Sequence, residues 1–234
     1  MVEVEKPEIP NGAEHMAFIM RASMYTLGET AKHSDLKSQD QREMIGTCLN
    51  ALYQAATCHR QCHGGAHLLE RLCGRAYNLA CGAYNLSVIG LYDEALNLIR
   101  GMGEITNLII LSTIDGNAIQ QWIHADRKTR LNKFSPKRVR EMVTKKGMEL
   151  CATDEWYQEM CEAYTHITPD TRPNIHSGRS WIGGKFDKEG ENKALGELFY
   201  VSVFLAMFVC KYFKFDDLFA EITDKLQKNP EKEE

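Results

Sequence analysis

The stretch Gly90-Leu91-Tyr92-Asp93-Glu94-Ala95-Leu96-Asn97-Leu98-Ile99-Arg100-Gly101-Met102-Gly103-Glu104 constrains the fold more than any other part of the chain. Gly90 can take the positive φ that closes a helix. Asp93 and Glu94 then suit the first turn of the next one. Ala95, Leu98, Ile99, Met102, Ile105, Leu108 and Ile109 recur at helical spacing. Upstream, Leu69, Cys73, Tyr77, Ala80, Tyr84 and Val88 form a matching stripe over 66–89. Two long helices joined by so short a turn pack antiparallel.

Further helices are expected on both sides. Residues 14–32 carry Met16, Ile19, Met20, Met24 and Leu27 at helical spacing. Ser38 is a candidate N-cap for a helix from Gln39 to about His63, where Gly64-Gly65 breaks it. A helix over 117–131 follows the central pair, and Ser135-Pro136 opens a basic one running to about Leu150. Thr153 or Asp154 caps a short helix ending near His166; an apolar helix over 193–213 and a last amphipathic one over 215–227 close the chain. No strand is required. The expected fold is all-α: a single-domain antiparallel bundle over 14–228, with an N-terminal extension over 1–13 and a disordered tail over 229–234. A long loop near 167–192 has no periodicity, and structureless connections of that length are usually functional or disordered.

Composition narrows the class. Hydrophobic residues at 44% and charged residues at 26% are ordinary for a globular protein. The acidic start has no apolar core, so it does not read as a signal peptide. The longest apolar run, Leu198 to Cys210, is shorter than the roughly 20 residues a span needs. It reads as a buried helix, with no membrane partner expected. The eight cysteines fall mostly in apolar helical stretches, which points to reduced thiols and a cytoplasmic setting.

Three surfaces are candidates for function. Arg100 and Glu104 stand four residues apart, around Gly101 and Gly103. They are either a solvated ion pair or a partly buried pair that organises a site. The segment Tyr164 to Arg179 offers His166 and His176 for proton transfer near neutral pH, and Arg172 and Arg179 for phosphate. A polar pocket of Arg100, Glu104, Tyr164, His166 and His176 follows from joining these two groups. The third surface is 127–146, with nine Lys or Arg against Glu141 alone, a local charge of +8 in a chain of net −4. Arg127, Lys128, Arg130, Lys137, Arg138 and Arg140 would meet a nucleic acid or an acidic protein partner; the alternative is a solvated face balanced by acids elsewhere.

Cys58, His59, Cys62, His63 and His67 have the chemistry of metal ligands. On one continuous helix, however, they would spread over about 180° of its surface and could not close one tetrahedron. No metal or other cofactor is therefore expected.

Two resemblances reach these residues. Gly90 to Ala95 resembles the inter-helix turn of a tetratricopeptide repeat, but occurs once and without a repeat period. The order of helical hairpin, Leu98-Ile99-Arg100 with Glu104, Tyr/His-containing loop and apolar last helix resembles uncharacterised bacterial proteins allied to HEPN-like helical domains, over about 60–210. That resemblance implies a binding or regulatory protein, of the kind found in defence or toxin-type systems and often a homodimer. Alternatively it implies a metal-independent ribonuclease using an Arg and a His four to six residues apart. The nearest pairs here are Arg60 with His67 and Arg172 with His176.

Overall fold

Two helices joined by three residues set the frame: α3 (Leu68–Val88) and α4 (Tyr92–Ile114). The computed structural model describes residues 11–62, 64, 67–169 and 171–228. Most of the expected extension, the expected tail and His63 lie outside the described residues. The other helices are α1 (His15–Lys32), α2 (Leu36–Ala56), α5 (Gly116–His124), α6 (Arg127–Lys133), α7 (Pro136–Lys145), α8 (Asp154–Tyr164), α9 (Lys188–Phe213) and α10 (Asp216–Lys228). The chain is an all-α bundle. Gly90 takes φ +78°, and a Cβ there would strike the backbone of Lys185, so this turn requires glycine twice over.

The core is organised around α9, which lies against α2, α4, α3 and α10. Leu52, Cys73, Leu205, Val209 and Ile222 fill one cluster among α2, α3, α9 and α10. Leu96, Ile99, Met102, Leu195 and Leu198 join Met160 of α8 in a second. Ile110 and Leu111 meet Ala118, Phe134 and Val143 in a third, between α4 and the α5–α7 region. Each such leucine or isoleucine contributes about 1.5–3 kcal/mol by leaving water. Helix α9 is the one helix among the described residues long and apolar enough to cross a membrane. Half of its apolar window is buried within the bundle. The run Leu198 to Cys210 thus sits inside a helix of 26 residues.

The structure corrects several expected boundaries. Helix α2 is capped by Asp35, whose carboxylate accepts the Ser38 N–H, and it ends at Ala56. Asp126 breaks the expected 117–131 helix in two, because its side chain accepts Thr129 N–H and starts α6. Helix α7 stops at Lys145, before Gly147 at φ +73°. A strand pair does exist: β1 (Ile175–His176) and β2 (Arg179–Ser180) form a small antiparallel hairpin within the long loop. Ser177 and Gly178 supply the two positive-φ positions of its turn (49° and 71°).

That loop is fastened. Asp187 donates its N–H to the Tyr92 hydroxyl, Lys185 N–H reaches Gly90 O, and the Thr26 hydroxyl donates to Gly184 O. The Gly184 backbone lies so close to Ile89 O that a Cβ would fall 1.9 Å from that oxygen. The segment 171–187 is a strap over the α3–α4 turn.

Candidate functional site

Five polar residues, Asp93, Asn97, Arg100, Glu104 and Asn107, run along one face of α4 at spacings of four and three, which keeps them in line on a helix. Each grips a segment packed across α4. Asp93 accepts the Asn174 N–H, and Asn97 pairs with the Thr165 hydroxyl. Arg100 and Glu104 meet α8. Asn107 donates to Ala152 O and accepts the N–H groups of Cys151 and Ala152.

The centre of this stripe is a connected network. Arg100 donates to Glu104 Oε1 (2.6 Å) and to the Tyr157 hydroxyl (3.0 Å), and Tyr157 donates to the same Glu104 oxygen (2.9 Å). The Cys161 thiol stands 3.8 Å from Arg100. The Arg140 guanidinium lies 4.3 Å over the Tyr157 ring and pairs with Asp154 at 2.6 Å. Arg100 and Glu104 are largely covered, with side chains 18% and 31% exposed. Burial, reinforced by the hydrogen bond to Glu104, pushes the Tyr157 hydroxyl well above its ordinary pKa. Gly103 makes the arrangement possible, because a Cβ there would sit 2.8 Å from the Trp156 ring. Trp156 also donates to Glu197 of α9 at 2.8 Å, which fixes α8 and aims Tyr157 at Arg100.

The pair of Arg100 and Glu104 is therefore partly buried, but its partners are Tyr157 and Cys161, which the sequence reading did not single out. The residues expected to complete the pocket lie elsewhere. Tyr164 is half-buried at the end of α8, its phenol pushed up by burial, with Asp93 adding to the shift. His166 is exposed. His176 is 7% exposed, 3.2 Å from Asp93 Oδ1 and edge-on to Tyr92, at the other end of α4. A cavity of about 270 Å³ beside the network is lined by Glu104, Arg140, Trp122 and Phe134 among others.

The nuclease-type pairs are placed differently again. Arg60 forms a two-pronged pair with Asp217 of α10 and lies 4.7 Å over Phe215. His67 faces Cys58, Cys62 and Glu70. Arg172 is exposed while His176 is buried. The structure joins neither pair by a hydrogen bond or ion pair among the described residues.

The basic segment forms a surface. Arg127, Lys128, Arg130, Lys133, Lys137, Arg138, Lys145 and Lys146 are exposed on or beside α6 and α7. Arg138 pairs with Glu141, and Lys146 with Asp115. Arg130 stands near the Asp126 carboxylate, whose pKa it helps to lower. Arg127, Lys128, Lys133, Lys137 and Lys145 have no carboxylate partner among the described residues. Arg140 departs from this group, being buried against Tyr157 and Asp154. A groove of about 540 Å³ runs between α5, α6 and α7, with Lys133, Arg138 and Lys146 on its wall and Phe134 buried at its base.

The cysteine and histidine group corrects a premise. Because α2 ends at Ala56 and α3 starts at Leu68, Cys58, His59, Cys62 and His67 do not lie on one helix, and the expected spread around a helix surface does not apply. Cys58 and His67 both take left-handed backbone (φ 50° and 49°). One ligand atom from each of Cys58, Cys62 and His67 lies within 4.8 Å of the others. Elsewhere, burial pushes the Cys48, Cys73, Cys151 and Cys210 thiols up to about 12, leaving them inert core residues. Comparison of the chain with protein-family models, with curated proteins and with solved structures finds no match.

Proposed function

We propose that this is a cytoplasmic bacterial binding or regulatory protein that engages a polyanionic partner through the α5–α7 face. The observation that carries the reading is the set of five exposed cations on that face without carboxylate partners, around the groove bearing Lys133, Arg138 and Lys146. Uncompensated cations at this density attract phosphate or clustered carboxylates and raise association rates. Phe134 is buried beneath the groove, so recognition rests on charge and not on base stacking. The polar network of Arg100, Glu104, Tyr157 and Arg140 braces the face from behind, since Arg140 belongs to α7 and Tyr157 to α8. The HEPN-like ribonuclease alternative draws less support, because Arg60 is engaged by Asp217 and His176 is buried on Asp93.

The test is binding of a fluorescent duplex RNA and of poly-glutamate across a salt series. Affinity should fall steeply with salt for at least one of them. Reversal of Lys133, Lys137 and Arg138 to Glu should weaken binding at least tenfold at low salt with the circular dichroism spectrum unchanged. Retained affinity in that folded triple variant, or no binding of either polyanion at low salt, overturns the reading. Product analysis of the same RNA in chelator separates the ribonuclease alternative: cleavage abolished by His176→Ala or His67→Ala would favour it.

A further inference from the structure

We propose that Cys58, Cys62 and His67 form a binding site for one divalent ion of the zinc class, with Glu70 holding the histidine ring in place. The Cys58 thiol lies 3.6 Å from His67 Nδ1 and the Cys62 thiol 3.8 Å from Nε2. A tetrahedral zinc ion with thiolates at ~2.3 Å and an imidazole at ~2.0–2.1 Å sets its ligand atoms ~3.5–3.8 Å apart. Each sulfur thus stands at about that spacing from a ring nitrogen, though not yet the same one, and one ligand atom of each residue lies within 4.8 Å of the others. A small turn of Cys58 carries its sulfur from Nδ1 toward Nε2, where Cys62 already stands.

Glu70 selects that nitrogen. Its Oε1 stands 3.6 Å from Nδ1, and the carboxylate is 9% exposed on the first turn of α3. Metal-bound histidines commonly give their other N–H to such a carboxylate, which fixes the tautomer and strengthens the ligand. His67 then coordinates through Nε2. Binding exchanges two thiol protons, released to solvent, for the ion. Three protein ligands leave a fourth coordination place on the solvent side, where Cys62 is exposed.

The placement gives the ion a task. From the connector between α2 and α3, Arg60 reaches across to Asp217 of α10. An ion joining Cys58 at the start of the connector to His67 at its end closes that loop. Arg60 is thereby held between the two ends.

The experiment uses the full chain, purified with a reductant and stripped by chelator, then titrated with Co²⁺ and back-titrated with Zn²⁺. Expected are saturation at one equivalent, thiolate-to-cobalt charge-transfer bands with tetrahedral d–d bands, and their displacement by Zn²⁺. Cys62→Ser changes an exposed side chain and should fold. It should lower the charge-transfer intensity and weaken binding at least tenfold. Glu70→Gln should weaken binding about 10–100-fold while keeping the thiolate bands. The proposal is overturned if the folded, reduced wild-type chain develops no charge-transfer bands. It is equally overturned if the Cys58→Ser/Cys62→Ser double variant binds as the wild type does, which would put the ion elsewhere.

Discussion

The side-chain oxygen of Asn174 accepts the backbone N–H groups of Tyr92 and Asp93, at 3.1 and 3.3 Å, from 81 residues beyond Asp93 in the chain. Helix α4 has no side-chain cap of its own at Leu91. Asn174 supplies it from the strap, and Asp93 returns the contact by accepting the Asn174 N–H at 2.6 Å. The left-handed backbone of Asn174 (φ 42°) is one that asparagine tolerates better than most residues.

Asn174→Ala should therefore destabilise the fold by about 1–2 kcal/mol, the range for removing a helix cap. Denaturant unfolding with an unchanged m-value checks this. A midpoint within error of wild type would show that water replaces the cap at no cost.

Gly184 offers a second handle on the strap. A Cβ at this position meets Ile89 O, a backbone atom that cannot swing aside. Gly184→Ala should lift the strap, cost about 1–3 kcal/mol, and open cleavage sites between 171 and 187. Limited proteolysis followed by mass spectrometry reads the outcome; a cleavage pattern like the wild type's contradicts it.

In the central network, removing Glu104 and removing the Tyr157 hydroxyl should differ. Tyr157→Phe loses two neutral-partner or charge-assisted bonds and should cost about 1–2 kcal/mol. Glu104→Gln leaves the partly buried Arg100 without its counter-charge and should cost more, about 2–4 kcal/mol, below the value for a fully buried pair. The double variant should cost less than the sum, because both changes break the same connections. Additive costs would mean that the three side chains act independently.

The Arg60–Asp217 pair makes a prediction about acid. The hydrogen bonds from Arg60 hold the Asp217 carboxyl down from its ordinary 3.8 to about 2. A folded-state pKa below the unfolded value contributes stability that is present above 3.8 and lost as pH falls through about 2. The contribution is small and salt-sensitive, because Asp217 is exposed. The advantage of wild type over Asp217→Asn should shrink between those pH values and vanish below them. An advantage that persists at lower pH would assign it to something other than this ionisation.

Much of the bundle was legible because its signals are local. The turn at Gly90, the proline after Ser135 and the Thr153 cap act within one or two helical turns, so α3 ends and α4, α7 and α8 begin where those residues place them. The ends were less legible wherever a competing side chain decided them. Asp126 outcompetes a continuous helix, and Asp35 outbids Ser38 as the cap of α2. The four-three spacing of polar residues on α4 was visible in principle, but apolar periodicity drew attention to the opposite face.

The sequence by itself determined that the chain is helical, that α3 and α4 pack antiparallel and that 127–146 is basic, since periodicity and charge are properties of neighbours in the chain. Tertiary structure alone decided what the polar groups touch. It gave Arg100 to Tyr157, Arg60 to Asp217 and His176 to Asp93, and it brought Cys58, Cys62 and His67 together once α2 ended at Ala56. The physical reason is that a side chain's partners depend on how whole helices cross. Those crossings are set by the packing of α9 against α2 and α4 and by small residues such as Gly103, not by spacing along the chain.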